Sequence, residues 1–151
     1  PNAGHLLWAS ANRAVREPSR IDRDLAAPGI LVPGTFNGED LTAFEIGYRG
    51  QPSSNTTVSV VGFYNLYDGL RSTQITPGTI LPVRLANGIR GENWGVEAWG
   101  AVQVAPGVRM NAGLTVLDGD FRLKRGETDL ENFISLGNDP DYYGQIGGRI
   151  D

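Results

Sequence analysis

One histidine, no cysteine and seventeen carboxylates set the chemical repertoire of this 151-residue chain. His5 has no second imidazole and no thiolate to join it around a metal ion. A Ser-His-Asp triad would have to use His5, yet no Gly-x-Ser-x-Gly elbow presents a nucleophile. His5 therefore reads as an ordinary residue at the start of a strand. Asp118-Gly-Asp120 and Asn138-Asp-Pro-Asp141 offer the hard oxygen donors that calcium takes, but without EF-hand spacing; both read as turn chemistry. Arg16, Arg20 and Arg23 alternate with Glu17, Asp22 and Asp24 in a stretch that compensates its own charge and reads as a solvated loop. Asn55-Thr-Thr fits a glycosylation sequon but sits in a tight turn and is given no role. No catalytic residue, metal ligand or cofactor is expected.

The elements that carry these residues are strands. No apolar run approaches the roughly 18 residues of a spanning helix. Glycine is abundant (21 residues), and a hydrophobic content of 40% coexists with a mean hydropathy of -0.24, because polar and apolar residues interleave. That is the pattern of strands apolar on one face only. The twelve arginines and one lysine are dispersed, with a net charge of -4. A nucleic-acid binder gathers its basic residues on one face, so no nucleic-acid partner is expected. The chain opens at Pro1 without methionine, basic region or apolar leader, which reads as an excised segment rather than a processed one.

Connections alternate in length. Long polar stretches at Arg16–Glu39, Asp68–Ile80 and Lys124–Asp141 take turns with tight ones at Gly50–Asn55 and Ala105–Gly107. An up-and-down sheet crossing a bilayer sorts its loops in this way. About six strands are predicted: His5–Val15, Leu41–Arg49, Thr56–Tyr67 with an extension toward Thr73, Leu81–Val104, Val108–Phe121 and Tyr142–Asp151. A bulge is expected near Asn87-Gly88 and Gly91, and a short helical turn after Pro18 with Ser19 as its cap.

Register follows from charge. Val108, Met110, Ala112, Leu114 and Val116 oppose Arg109, Asn111, Gly113 and Thr115. Trp94, Val96, Ala98, Val102 and Val104 oppose Glu97, Trp99 and Gln103, and Phe44, Ile46 and Tyr48 oppose Glu45 and Arg49. A one-residue slip would turn Glu97 or Arg109 into lipid, where Arg or Lys at mid-depth costs about 2–4 kcal/mol and Glu less. Even-numbered residues of these strands are therefore expected to face outward. Val58, Val60, Tyr64 and Leu66 lean the same way despite Val61 and Phe63; the first strand is not resolved. The two long strands Leu81–Val104 and Val108–Phe121 exceed what a crossing needs and should project at the loop end. Tyr48, Tyr67 and Tyr142 suit interfacial girdles.

Five segments, in order and at matching spacing, resemble the TonB-dependent outer-membrane receptors. They are Trp8-Ala-Ser-Ala-Asn-Arg-Ala-Val-Arg-Glu-Pro-Ser-Arg-Ile-Asp-Arg-Asp, Leu41-Thr-Ala-Phe-Glu-Ile-Gly-Tyr-Arg, Phe63-Tyr-Asn-Leu-Tyr-Asp-Gly-Leu, Asn87-Gly-Ile-Arg-Gly-Glu-Asn-Trp-Gly-Val-Glu and Gly137-Asn-Asp-Pro. The resemblance spans nearly the whole chain. It implies an all-β fold: an antiparallel up-and-down meander that is a partial slice, residues 1–151, from the C-terminal half of a transmembrane barrel of about 22 strands. The family's plug, TonB box and terminal aromatic strand have no counterpart in these residues. Six strands fall short of the roughly eight a barrel needs, so the slice is expected neither to insert nor to transport by itself.

The resemblance also implies a parent that imports a scarce ligand, most often a ferric siderophore, with energy delivered by the TonB complex through the plug. Outer-membrane lipid would surround the wall. Glu45, Arg49, Glu97, Gln103, Arg109 and Asn111 would line the lumen, facing the plug or the passage beside it. Arg20, Asp22, Arg23 and Asp24 become candidates for contact with ligand or lipopolysaccharide. Two other readings remain at this point: a soluble all-β ligand- or carbohydrate-binding module, and a passive porin-like channel.

Overall fold

The computed structural model describes residues 4–24, 26–131 and 136–150. Its elements in chain order are β1 (His5–Arg16), α1 (Arg20–Asp24), β2 (Leu31–Val32), β3 (Glu39–Ser53), β4 (Thr56–Thr76), β5 (Ile80–Ala105), β6 (Val108–Leu123) and β7 (Tyr142–Ile150). Six long strands lie side by side in the order β1-β3-β4-β5-β6-β7, every neighbour antiparallel. This is the expected meander. The unexpected member is β2, two residues that add in parallel to β5.

Two-residue turns close the sheet at one end. Ser54-Asn55 joins β3 to β4, and Pro106-Gly107 joins β5 to β6. Proline presets the first turn position, and Gly107 takes the positive φ (74°) that a side chain would resist.

The ladder fixes which residues share a face. Leu7, Tyr48, Val60, Ala98, Leu114 and Gly144 form one continuous row; Ala9, Ile46, Gly62, Val96, Val116 and Tyr142 form the next. The opposite face carries Trp8, Gly47, Val61, Glu97, Thr115 and Tyr143, then Leu6, Arg49, Ser59, Trp99, Gly113 and Gln145. The even-numbered register thus holds across β3, β4, β5 and β6, and β1 joins with its odd residues. On the apolar face Val96 is 48% and Leu114 51% exposed, and Met110 is exposed too. This apolar band runs from Val58 to Leu66 on β4 and from Val108 to Val116 on β6. Its height matches the roughly 9–11 residues with which a tilted strand crosses hydrocarbon.

Aromatic placement partly departs from expectation. Phe44, Tyr64 and Trp94 lie in one row at the upper edge of the band, with Tyr64 and Trp94 stacked at 6.5 Å. Tyr48 stands toward the short-turn end, stacked on His5, whose Nδ1 is 2.7 Å from the tyrosine hydroxyl. Tyr67, however, belongs to the polar face, in register with Leu41 and Gly91 and packed on Phe121 at 5.9 Å. Its odd number places it there, and only Tyr48 and Tyr142 of the three tyrosines share the apolar face.

The stretch Asp68–Ile80 is not a loop. β4 and β5 run on together beyond their neighbours as a hairpin that turns at residues 77–79. Register shifts fall at Asp68/Leu70 and Leu70/Ser72, and in the second Asn87 and Gly88 of β5 stand opposite Arg71 alone; the bulge at Asn87-Gly88 is thereby met, and the one near Gly91 lies across the ladder at Gly69. A bare two-stranded ribbon is marginal in water, and this one is strapped on both edges. The first loop bonds the free edge of β5: Val83 N donates to Ile30 O (2.8 Å) and Thr35 N to Leu85 O (3.0 Å). The third loop bonds the free edge of β4: Leu130 N donates to Thr73 O (2.7 Å), Thr73 N to Asp129 Oδ1 (2.7 Å) and Ile75 N to Thr128 Oγ1 (3.2 Å). The straps are crossed, each reaching past the nearer strand to the farther one. Beneath them sits nearly all of the described apolar core: Phe36, Val83, Ala86 and Ile89, the last 1% exposed.

Candidate functional site: a polar trough and the loops above it

The polar face forms a trough of about 560 Å³ across β3 to β7. Arg49, Glu97, Arg109 and Asn111, four of the six residues expected to share a lumen, line it together with Thr57, Trp99, Tyr143 and Gln145. Glu45 stands in the row directly above that of Glu97, accepting from Ser10 Oγ at 2.9 Å. Gln103 lies at the short-turn rim opposite Arg109, its backbone N–H bonded to Asn55 O at 2.9 Å. The two therefore share the face without entering the trough.

Bulky rings roof parts of this face. Trp8 lies over Gly47 and Phe121 over Gly91, where a Cβ would collide with each ring. Such cover lowers exposure: Ser59 is 5% and Val61 9% exposed, against 41% for Val60 on the other side of the same strand. Higher on the face, Asn65 Nδ2 donates to Asn93 Oδ1 at 2.8 Å. Sequence reasoning put Trp99 on this face without naming it among the lumen candidates, and passed over Tyr143, Gln145 and this amide pair. The signal was present: Trp99 is in phase with Glu97, not with Val96.

Charges on the trough are not matched internally. The side chains of Arg49, Glu97 and Arg109 make no ion pair or hydrogen bond among the described residues. Arg109 faces Arg149 directly across the β6–β7 ladder.

The loop end is richer in ion pairs, although Arg90 faces Arg122, Glu92 faces Asp120 and Asp40 faces Asp68 across its ladders. Arg13 pairs with Asp40 (2.7 Å), Arg16 with Glu39 (2.8 Å), Arg122 with Asp120 (3.2 Å) and Lys124 with Asp68 (2.8 Å). Asp118 and Asp120, expected in a turn, lie inside β6. Of the four residues offered for ligand contact, Arg20, Arg23 and Asp24 are exposed, and Arg20 pairs with Asp24 at 3.4 Å. Asp22 is a structural hub. Ser19 caps α1 as the sequence suggested: Asp22 N donates to Ser19 Oγ (3.2 Å), and Ser19 N donates back to Asp22 Oδ2 (2.9 Å). Asp22, its side chain 2% exposed, also holds Arg71 at 3.0 Å and Arg16 at 3.5 Å. The Ser19 backbone N–H, then its hydroxyl and Arg71, hold this carboxyl below its usual range against the opposing pull of burial. Among the described residues no group of three or more His, Asp or Glu is placed to hold a metal ion.

No family model and no curated protein matches the sequence. Solved structures do match the fold. The FrpB iron transporter from Neisseria meningitidis (F3-3 variant) aligns with a TM-score of 0.65 at 16% identity, over 87% of this chain and 19% of its own. The copper transporter OprC aligns at 0.64 and 14% identity, over 100% and 22%. The pyoverdine outer membrane receptor FpvA from Pseudomonas aeruginosa PAO1 aligns at 0.64 and 17% identity, over 98% and 20%. The chain spans about a fifth of the length of these structures. Its fold is that of a contiguous slice of wall from the barrel of TonB-dependent outer-membrane receptors.

Proposed function

We propose that this chain is part of the barrel domain of an outer-membrane active transporter that imports a scarce ligand, a ferric siderophore before all others, with TonB-coupled energy. One observation carries the reading. Row after row, large apolar side chains share a single exposed face bounded above by Phe44, Tyr64 and Trp94, while unpaired charges occupy the other. A soluble β-sandwich would cover such a face with a second sheet, and the described strands form one sheet only. Lipid is the environment in which this arrangement is at rest. FrpB is described as an iron transporter, OprC as a copper transporter and FpvA as a pyoverdine receptor; metals and their chelates are thus the ligand class this reading favours. Glu45, Arg49, Glu97, Gln103, Arg109 and Asn111 would face the lumen, and Arg20, Arg23 and Asp24 the outside.

These residues include no cysteine, so single cysteines introduced here report cleanly in a full-length parent whose other cysteines, where present, are replaced by serine. Leu114→Cys and Val96→Cys should resist a water-soluble maleimide in outer-membrane vesicles, while Thr115→Cys and Glu97→Cys react. Uptake of radiolabelled ferric siderophore should require both the parent gene and TonB. Equal labelling on the two faces removes the membrane reading; uptake that persists without TonB leaves a passive channel.

A further inference from the structure

The outermost end of the projecting hairpin is apolar, bare and free of charge. Charged residues make up 20% of the chain, yet residues 26–38 and 72–83 contain none. The fold brings these two stretches together: Val83 N donates to Ile30 O at 2.8 Å, where β2 adds to β5. Ile30 (58%), Ile80 (57%), Leu81 (45%) and Val32 are exposed there. Arg84, next along β5 and in register with Val32, donates from Nε to Gln74 Oε1 at 2.7 Å. Ile80 is also held in a conformation that its branched side chain opposes. Its φ is 67°, and Leu81 N donates to Thr79 O at 2.8 Å around it, a γ-turn in its strained, positive-φ form. Thr76 Oγ1 donates to Pro82 O (2.5 Å) and Thr79 Oγ1 to Leu81 O (2.8 Å), which keeps the turn in place. Exposed as it is, this isoleucine gives the hairpin core nothing in return for that strain. Strain maintained in this way marks places where function lies in a contact.

We infer that this end is a knob that seats in an uncharged, apolar groove of a separate folded protein, with Ile80 and Leu81 at its centre and Ile30 and Val32 beside them. Lipid is out of reach: along β5 roughly 40 Å of strand separates Ile80 from Trp94 in the aromatic row, at about 3.3 Å per residue. A Cβ added at Gly29 or Gly78 would meet nothing within 4 Å. The end is therefore convex, whereas small molecules are held in concave sites. The straps already occupy both backbone edges of the hairpin, so the partner meets side chains and does not add a strand. Among the described residues, the two flanking loops are committed to those edges and leave the end open. A charge in the partner's groove would be desolvated with no answering charge here, which sets the chemistry of the groove. The inference goes beyond the proposed transport and takes from it only that this end lies outside the cell.

The test places benzoylphenylalanine in the full-length parent, in place of Ile80 or, as a control, of exposed Arg20, and irradiates intact cells. The probe at Ile80 should cross-link to one separate polypeptide, and the probe at Arg20 should not. That polypeptide, once purified, should bind the detergent-solubilised receptor roughly tenfold more weakly, or worse, after Ile80→Asn or Leu81→Asn. Asparagine tolerates positive φ, so Ile80→Asn should leave amide hydrogen exchange across the hairpin no faster than in the wild type. Heat-modifiable gel mobility identifies variants whose barrel has formed. Cross-links only to other outer segments of the receptor, only to lipid, or to nothing overturn the inference. So does unchanged affinity in both variants, and so does faster exchange in Ile80→Asn, which assigns the side chain to the hairpin's own packing. Uptake that persists without TonB defeats the proposed function and leaves this result standing.

Discussion

The projecting hairpin and the sheet below it are made from the same two strands, β4 and β5, yet they are stabilised by opposite means. Above Asp68 the hairpin has its own small core, its own straps and its own matched charges. Below it, the strands turn large apolar side chains outward on one face and leave charges unanswered on the other. The upper region carries its solvent-excluding contacts with it; in the proposed transporter the lower would draw them from lipid on one face and from the barrel's contents on the other. Strand length alone does not reveal the changeover. It occurs where β3 and β6 stop and the neighbouring loops take over the edges.

Substitutions in the two regions should therefore fail differently. The largest effect is expected from Ile89→Ala in the hairpin core, about 2–5 kcal/mol. It should appear as faster hydrogen exchange confined to the hairpin and its straps, with the sheet below unaffected; exchange rising throughout would dissolve the distinction. Leu114→Arg on the apolar face should cost about 2–4 kcal/mol in a bilayer, measured by urea unfolding in lipid vesicles, whereas Thr115→Arg one residue away should be close to neutral. Equal costs would end the idea of two unlike faces. Gly47→Ala would force Trp8 off its seat, for about 1–3 kcal/mol, seen as a shift in tryptophan emission.

The smallest effect is expected from pH. Asp22 has its carboxyl depressed below 3.8, so the stability it lends α1 is complete above that value and fades as pH falls through the lower, folded-state value. Asp22→Ala, which removes the bond returned to the Ser19 N–H, should cost about 1 kcal/mol, the net worth of a hydrogen bond, and abolish this acid dependence. Fraying of α1 near pH 6 would point to another group.

Some of this was readable from residues alone. The alternation around Glu97 and Arg109 fixed the faces of β5 and β6, because a slip would place charge in lipid. Ser19 as a cap after Pro18 marked α1, while the reciprocal part played by Asp22 emerged only from the structure. Other features depend on contacts distant in sequence. Residues 68–76 look like a polar loop because their edge partners, Asp129, Thr128 and Leu130, lie more than fifty positions away. β1 resisted assignment because Ala9 and Ala11 contrast weakly with Ser10 and Asn12, and its one large ring, Trp8, sits on the polar face over Gly47. The charged candidates of the trough were found because formal charge is visible in a sequence. Of their aromatic companions, Trp99 was placed on the right face by its phase with Glu97, while Tyr143 was not, since its strand carries no charge pattern between Tyr142 and Gly148 to set the register.

The crossed straps make the three outer segments a single knot. An engineer who transplants residues 17–38 from another protein also removes the cover of β5, and a graft at 124–141 strips β4. Loop exchanges at this end should succeed only when the hairpin and both straps travel together.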